Sequence, residues 1–158
     1  MAMVITGDTM EYTIVPMTSD CLEDYAELYS GVFSSPPWNE PWTAEAAAKR
    51  IGAMMSAPTF VGRAMISDST VTGFIFGQTE YTYSGTEFQI QEFCVASEYR
   101  HKGYGRALLA DLRQALAESG VTAGIYLITS EGEQTEGWYR RSGFRRVDGM
   151  IVMNDTRE

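Results

Sequence analysis

Apolar positions along this chain change their period several times, and each change marks an element. Glu11 to Val15 alternates and is closed by Pro16, which predicts a first strand. Leu22, Tyr25, Leu28, Tyr29 and Val32 then recur at helical spacing behind Thr18-Ser19-Asp20, which offers N-caps. A helix is predicted over 21–33. Pro36, Pro37 and Pro41 exclude regular structure from Ser34 to Trp42. Thr43 opens a second helix with Ala46, Ala47, Ile51 and Met54 on one face and Pro58 beyond its end.

The middle of the chain reads as three strands: 59–67, 71–83 and 88–95, joined by turns at Asp68-Ser69 and Ser84-Gly85. Ala107, Leu108, Leu112, Ala115 and Leu116 form one face of a helix that ends near Ser119, with Gly120 as its stop. Val121 to Thr129 is rich in β-branched residues and predicts a strand. Glu133 to Ser142 reads as a short helix stopped by Gly143. Segments 144–147 and 150–153 read as a closing hairpin around Asp148-Gly149. The expected fold is α/β (α+β): a mixed, mostly antiparallel twisted sheet of about six to seven strands flanked by about four helices. Residues 1–10 read as a loose lead-in and 11–158 as one domain, with no linker, repeat or low-complexity segment inside it.

Charge narrows the partners. The 158 residues carry a formal net charge of -9, which disfavours nucleic acid and anionic membrane surfaces and suits a cationic amine. Cys21 and Cys94 show neither disulfide-framework nor zinc spacing, and His101 is the single histidine, so no metal site is expected. The N-terminus lacks a basic n-region, and no apolar run approaches the roughly 20 residues of a membrane span. A cytoplasmic location is the expectation.

Against this acidic background, Arg100-His101-Lys102-Gly103-Tyr104-Gly105-Arg106-Ala107 is a basic island between a strand and a helix. Two glycines let the backbone approach a ligand, and the N–H groups of a first helical turn favour an anion. A P-loop would end in Lys-Ser/Thr and a dinucleotide loop would carry a third glycine; neither is present.

Val95, four residues, Arg100-x-x-Gly103-x-Gly105 resembles the acyl-CoA signature of the GNAT N-acetyltransferase superfamily. Trp138-Tyr139-Arg140-Arg141-Ser142-Gly143-Phe144 is similar to that family's aromatic-Tyr-x-x-x-Gly-Phe segment, and the element order from Glu11 to Met153 looks like the family's. The resemblance implies acetyl-CoA as co-substrate. Backbone N–H groups from Arg100 through His101, Lys102, Gly103, Tyr104 and Gly105 to Arg106 would bind its pyrophosphate, and Phe93, Cys94 and Val95 would pair with its pantetheine arm. Tyr139 matches the tyrosine that faces the thiol sulfur and is the candidate general acid. Glu92, three residues before Val95, is the candidate base; some relatives carry the carboxylate one residue earlier, at the position of Gln91. Relatives commonly have an Asn seven residues ahead of the tyrosine, where this chain has Gly132. A homodimer is the expectation by family analogy.

On an ideal strand Glu92 shares a face with Phe88, Ile90 and Cys94, and a charge in that row calls for a partner such as a substrate amine. A bulge would change this facing. Trp38, Trp42, Tyr81 and Glu87 are the candidate acceptor-binding residues, aromatics and carboxylates suited to a cation. The implied activity is acetyl transfer to a primary amine of a small cationic molecule. The alternatives are acetylation of a protein lysine or N-terminus, and a non-catalytic acyl-CoA-binding sensor.

Overall fold

The computed structural model describes residues 11–156; the lead-in expected over 1–10 lies outside them. Two compact units divide the chain, one up to Ile128 and one from Thr129.

The first unit holds one mixed five-stranded sheet, ordered β1 (Thr13–Pro16), β2 (Phe60–Ser67), β3 (Thr70–Thr82), β4 (Gly85–Val95) and β5 (Gly124–Leu127). Neighbours are antiparallel except β4 and β5, which are parallel. Between β1 and β2 run α1 (Leu22–Phe33) and α2 (Ala44–Met55); α3 (Tyr104–Glu118) connects β4 to β5. The Thr43 hydroxyl caps α2 by accepting from the Ala46 N–H at 3.1 Å.

Helices cover both faces of the sheet. Tyr25, Tyr29, Val32, Ala47 and Ile51 from α1 and α2 join Phe74, Phe76 and Cys94 in one buried cluster. On the other face Leu108 of α3 lies over Gly73, where an added Cβ would be 3.0 Å from its side chain. Burying a side chain such as Phe74 or Leu108 stabilises the fold by about 1.5–3 kcal/mol.

Strand β4 carries the feature that decides the site. Its register against β3 runs Phe74 to Cys94 and Phe76 to Glu92, but Gly77 then pairs with Ile90. Gln91 is therefore an extra residue, a β-bulge. Directly opposed residues share a face, so Glu92 and Cys94 lie with Phe74 and Phe76 beneath α1 and α2. Ile90 and Phe88 lie with Gly77 and Thr79 on the α3 face. The unbroken row Phe88, Ile90, Glu92, Cys94 expected of an ideal strand is thus split between the two faces. Gly77 makes this possible: a Cβ there would sit 1.7 Å from the Gln89 carbonyl oxygen.

The second unit contains a π-turn, Glu133–Gly137, running into a short helix α4 (Trp138–Arg141), which Gly143 ends with a φ of 95°. The hairpin expected over 144–153 does not form. The Asp148-Gly149 turn is present, with Gly149 at φ 80°, but no ladder flanks it. Val147, Met150, Ile151, Val152 and Met153 are 64–84% exposed. Strand propensity yields a strand only where an edge pairs it and a face buries it, and an isolated two-stranded hairpin is marginal in water. The described sheet accordingly has five strands rather than six or seven.

Candidate active site

Glu92 is 8% exposed and held from two helices. Arg50 of α2 places Nε and Nη2 each 2.7 Å from Glu92 Oε1. Tyr29 of α1 donates its hydroxyl to the same oxygen at 3.1 Å. Burial raises the Glu92 carboxyl above its ordinary value, and Arg50 and Tyr29 only partly oppose that rise. The Tyr29 phenol is pushed up in turn, chiefly by burial and then by the Glu92 charge.

An aromatic wall runs from this group into the loop between α1 and α2. Tyr29 meets Phe33 at 4.5 Å and Trp42 edge-on at 5.1 Å, and Phe33 meets Trp38 at 5.1 Å. Trp42 Nε1 donates to Glu40 Oε2 at 2.6 Å. Two guanidinium groups rest on the tryptophans: Arg50 over Trp42 at 5.9 Å and Arg100 over Trp38 at 5.4 Å. Trp38 and Trp42 thus lie in the same neighbourhood as Glu92, but the chain's own cations occupy a face of each.

Tyr81 is not brought to this group. It pairs with Thr86, one step from Thr79 and Phe88 in the alternation, which puts it on the α3 face, 83% exposed. Glu87 pairs with Glu80 across the hairpin, and Tyr126 of β5 donates to Glu80 Oε2 at 2.8 Å. Desolvation, with Glu80 and Glu87 nearby, pushes the Tyr126 phenol up to about 12.

The glycine loop has the backbone of an anion cradle. A 3-10 turn, Ser97–Tyr99, leads into it. His101 (φ 59°) and Gly103 (φ 84°) are left-handed, and open space lies where a Gly103 Cβ would be. The Ala107 N–H is bonded to the Gly103 carbonyl at 3.0 Å. The three N–H groups before it, on Tyr104, Gly105 and Arg106, open α3 without an intrahelical acceptor.

Two residues of the loop are committed elsewhere. The Arg100 N–H donates to the Ser97 carbonyl at 3.3 Å and its Nε to the Val95 carbonyl at 3.1 Å. The Tyr104 ring is buried, 5.0 Å from Tyr12 and stacked on Tyr99 at 5.2 Å. Lys102 lies over the Tyr99 ring at 5.9 Å; His101, Lys102 and Arg106 are exposed.

Before the loop, the parallel ladder between β4 and β5 covers only Glu87 to Ile90 and stops at the bulge. Phe93 and Val95 are half-buried beyond that point. Cys94 is buried, its thiol pushed up by desolvation. In the second unit, Tyr139 is half-buried between Trp138 at 5.2 Å and Phe144 at 5.5 Å, both edge-on.

Arg50 was missed in the sequence. Its one signal was an arginine beside Ala47 and Ile51, both fully buried, at the margin of the apolar face of α2. Among the described residues no three His, Cys, Asp or Glu side chains gather into a metal-binding group, and no helix is long and apolar enough to cross a membrane.

The profile of the acetyltransferase (GNAT) family matches residues 20–144. No curated protein matches by sequence. Among solved structures, the aminoglycoside N-acetyltransferase AAC(6')-Iy in complex with CoA superposes with a TM-score of 0.74 at 15% identity, over 96% of this chain and 99% of its own. A possible acetyltransferase from Clostridium difficile 630 superposes with a TM-score of 0.79 at 15% identity, over 93% and 99%. The aminoglycoside acetyltransferase meta-AAC0020 from an uncultured soil metagenomic sample, in complex with sisomicin, gives 0.69 at 14% identity, over 93% and 96%.

Proposed function

Because the chain belongs to the GNAT acetyltransferase family, we propose that it moves an acetyl group from acetyl-CoA to a primary amine of a small cationic molecule. The observation that carries this reading is the pairing of an anion cradle at the start of α3 with a buried carboxylate at the bulge of β4.

The cradle fits a pyrophosphate. The N–H groups of Tyr104, Gly105 and Arg106, the left-handed Gly103 and the exposed Lys102 and Arg106 would hold it. The Arg100 N–H is engaged within the loop, so the cradle begins at His101. Beyond Ile90, where β5 leaves the ladder, Phe93 to Val95 would take the pantetheine arm as an added strand.

Glu92 takes the proton from the acceptor amine. The amine nitrogen bonds to the thioester carbonyl carbon and the carbon–sulfur bond breaks. Tyr139 gives its proton to the departing thiolate. A phenol hydroxyl can act as that acid by donating its proton. A carboxyl whose proton affinity is raised by burial is a better base than a free one, provided it stays ionised.

The negative net charge and the carboxylates Glu40 and Glu92 support a cationic acceptor. The tryptophan faces support it less than the sequence implied, since Arg50 and Arg100 rest on them. A second reading, acyl-CoA binding without turnover, is favoured by one observation: Glu92 is already ion-paired.

A thiol-release assay with acetyl-CoA and an amine panel, including spermidine and sisomicin, separates the two. Acetyl-CoA at about a hundred times its Kd should stabilise the folded protein by roughly 2.7 kcal/mol. Tyr139→Phe should slow thiol release about a hundredfold while leaving that stabilisation intact. Stabilisation by acetyl-CoA with no thiol release from any amine would favour the binding protein.

A further inference from the structure

The contacts on Glu92 are one-sided. Arg50 Nε, Arg50 Nη2 and the Tyr29 hydroxyl all converge on Oε1, at 2.7, 2.7 and 3.1 Å. Among the described residues no donor reaches Oε2. A guanidinium and a carboxylate frequently pair as a fork, with one N–H to each oxygen. Here the fork closes on a single oxygen.

Arg50 is held in that pose. Its guanidinium lies over the Trp42 ring, and Trp42 is fixed edge-on against Tyr29 and through Nε1 to Glu40. The Arg50 side chain is 40% exposed while that of Glu92 is 9% exposed, so the cation faces solvent and the anion does not.

We propose that Arg50 is a positioning residue for proton transfer: with Tyr29 it clamps Oε1, keeps the buried carboxylate ionised and leaves Oε2 to accept the proton of the acceptor amine. This rests on the reading of Glu92 as the base. The bond formed is Oε2–H and the bond broken is N–H of the amine, so no further reactant is required.

The groups facing Glu92 are Arg50 from α2, Tyr29 from α1, Glu40 from the α1–α2 loop and Cys94 from its own strand; Phe76 opposite is apolar. Arg50 is the cation in that set. Without it, burial and the Glu40 charge act against ionisation with only the Tyr29 hydrogen bond in favour.

Carbon-13 NMR of protein labelled at the glutamate side-chain carboxyl carbon tests this, with the Glu92 signal assigned by its loss in Glu92→Gln. In Arg50→Gln the Glu92 midpoint should move upward by about one pH unit or more. Arg50→Lys should restore most of it. Tyr29→Phe, which removes one hydroxyl, should give a smaller upward shift, and Arg50→Met serves where Arg50→Gln does not fold. A midpoint unmoved in Arg50→Gln, or in Arg50→Met where only that variant folds, overturns the role of Arg50 whatever Glu92 does. A shifted midpoint together with undiminished thiol release by Glu92→Gln overturns the base reading instead.

Discussion

Glu92 and Glu136 are both carboxylates held by arginine, and their proton affinities move in opposite directions. Glu136, in the C-terminal unit, takes the Arg146 fork on both oxygens at 2.6 and 2.8 Å, with Arg140 at 2.7 Å. Its pKa falls to about 2, chiefly through the Arg146 hydrogen bonds. Glu92 takes a guanidinium on one oxygen only, deep beneath two helices, and its pKa rises because burial outweighs the partner. At Glu136, contacts from Arg146, Arg140 and the Gly132 N–H reach both oxygens and outweigh desolvation; at Glu92, with contacts on one oxygen, desolvation wins. An ion pair alone therefore says little about role. Glu136 has partners on both oxygens, and Glu92 has them on one only.

The sharpest way to break this contrast is to neutralise each carboxylate. Glu92→Gln should lower thiol release about a hundredfold or more, whereas Glu136→Gln should change it by less than about threefold. Equal losses would mean that burial at Glu92 has no bearing on its role. Next in size is the bulge that buries Glu92. Gly77→Ala puts a methyl group against the Gln89 carbonyl. The expected loss is about 2–3 kcal/mol of stability, read as a lowered denaturant midpoint.

A smaller effect lies in the pH dependence of stability. The raised Glu92 makes the folded state bind more protons than the unfolded one above the ordinary carboxylate range. Its favourable contribution is therefore present at low pH and lost as pH rises through its folded value. Glu136 has the opposite sign: its contribution is present above 4.5 and lost as pH falls toward about 2. Glu92→Gln should thus flatten the loss of thermal stability on raising pH, and Glu136→Gln should flatten the loss on acidification. The smallest effect is salt. Near 1 M salt, where screening acts over about 3 Å, the Glu136 contribution to melting should fade while that of the buried Glu92 persists.

Readable local features carried far into the structure. The Arg100 to Ala107 loop was legible because a glycine pair and a helix start lie within one short segment, as was the Thr43 cap of α2. The bulge was not legible at Gln91, since inserting one residue leaves the alternation of Phe88, Ile90, Glu92 and Cys94 intact while reversing what it means. Its trace lay in Gly77, a glycine inside a strand. The hairpin over 144–153 was over-read because its turn chemistry was right while its pairing was not local.

By itself the sequence determined the element order as far as α4, the glycine loop that opens α3 and the family, because each depends on residues close together in the chain. Only the tertiary structure decided which face Glu92 occupies, that Arg50 and Tyr29 seize one of its oxygens, and that two guanidinium groups lie on the tryptophans. Those contacts join residues 42 and 63 positions apart at Glu92. They exist because packing two helices on a bulged strand makes neighbours of groups that no local pattern connects.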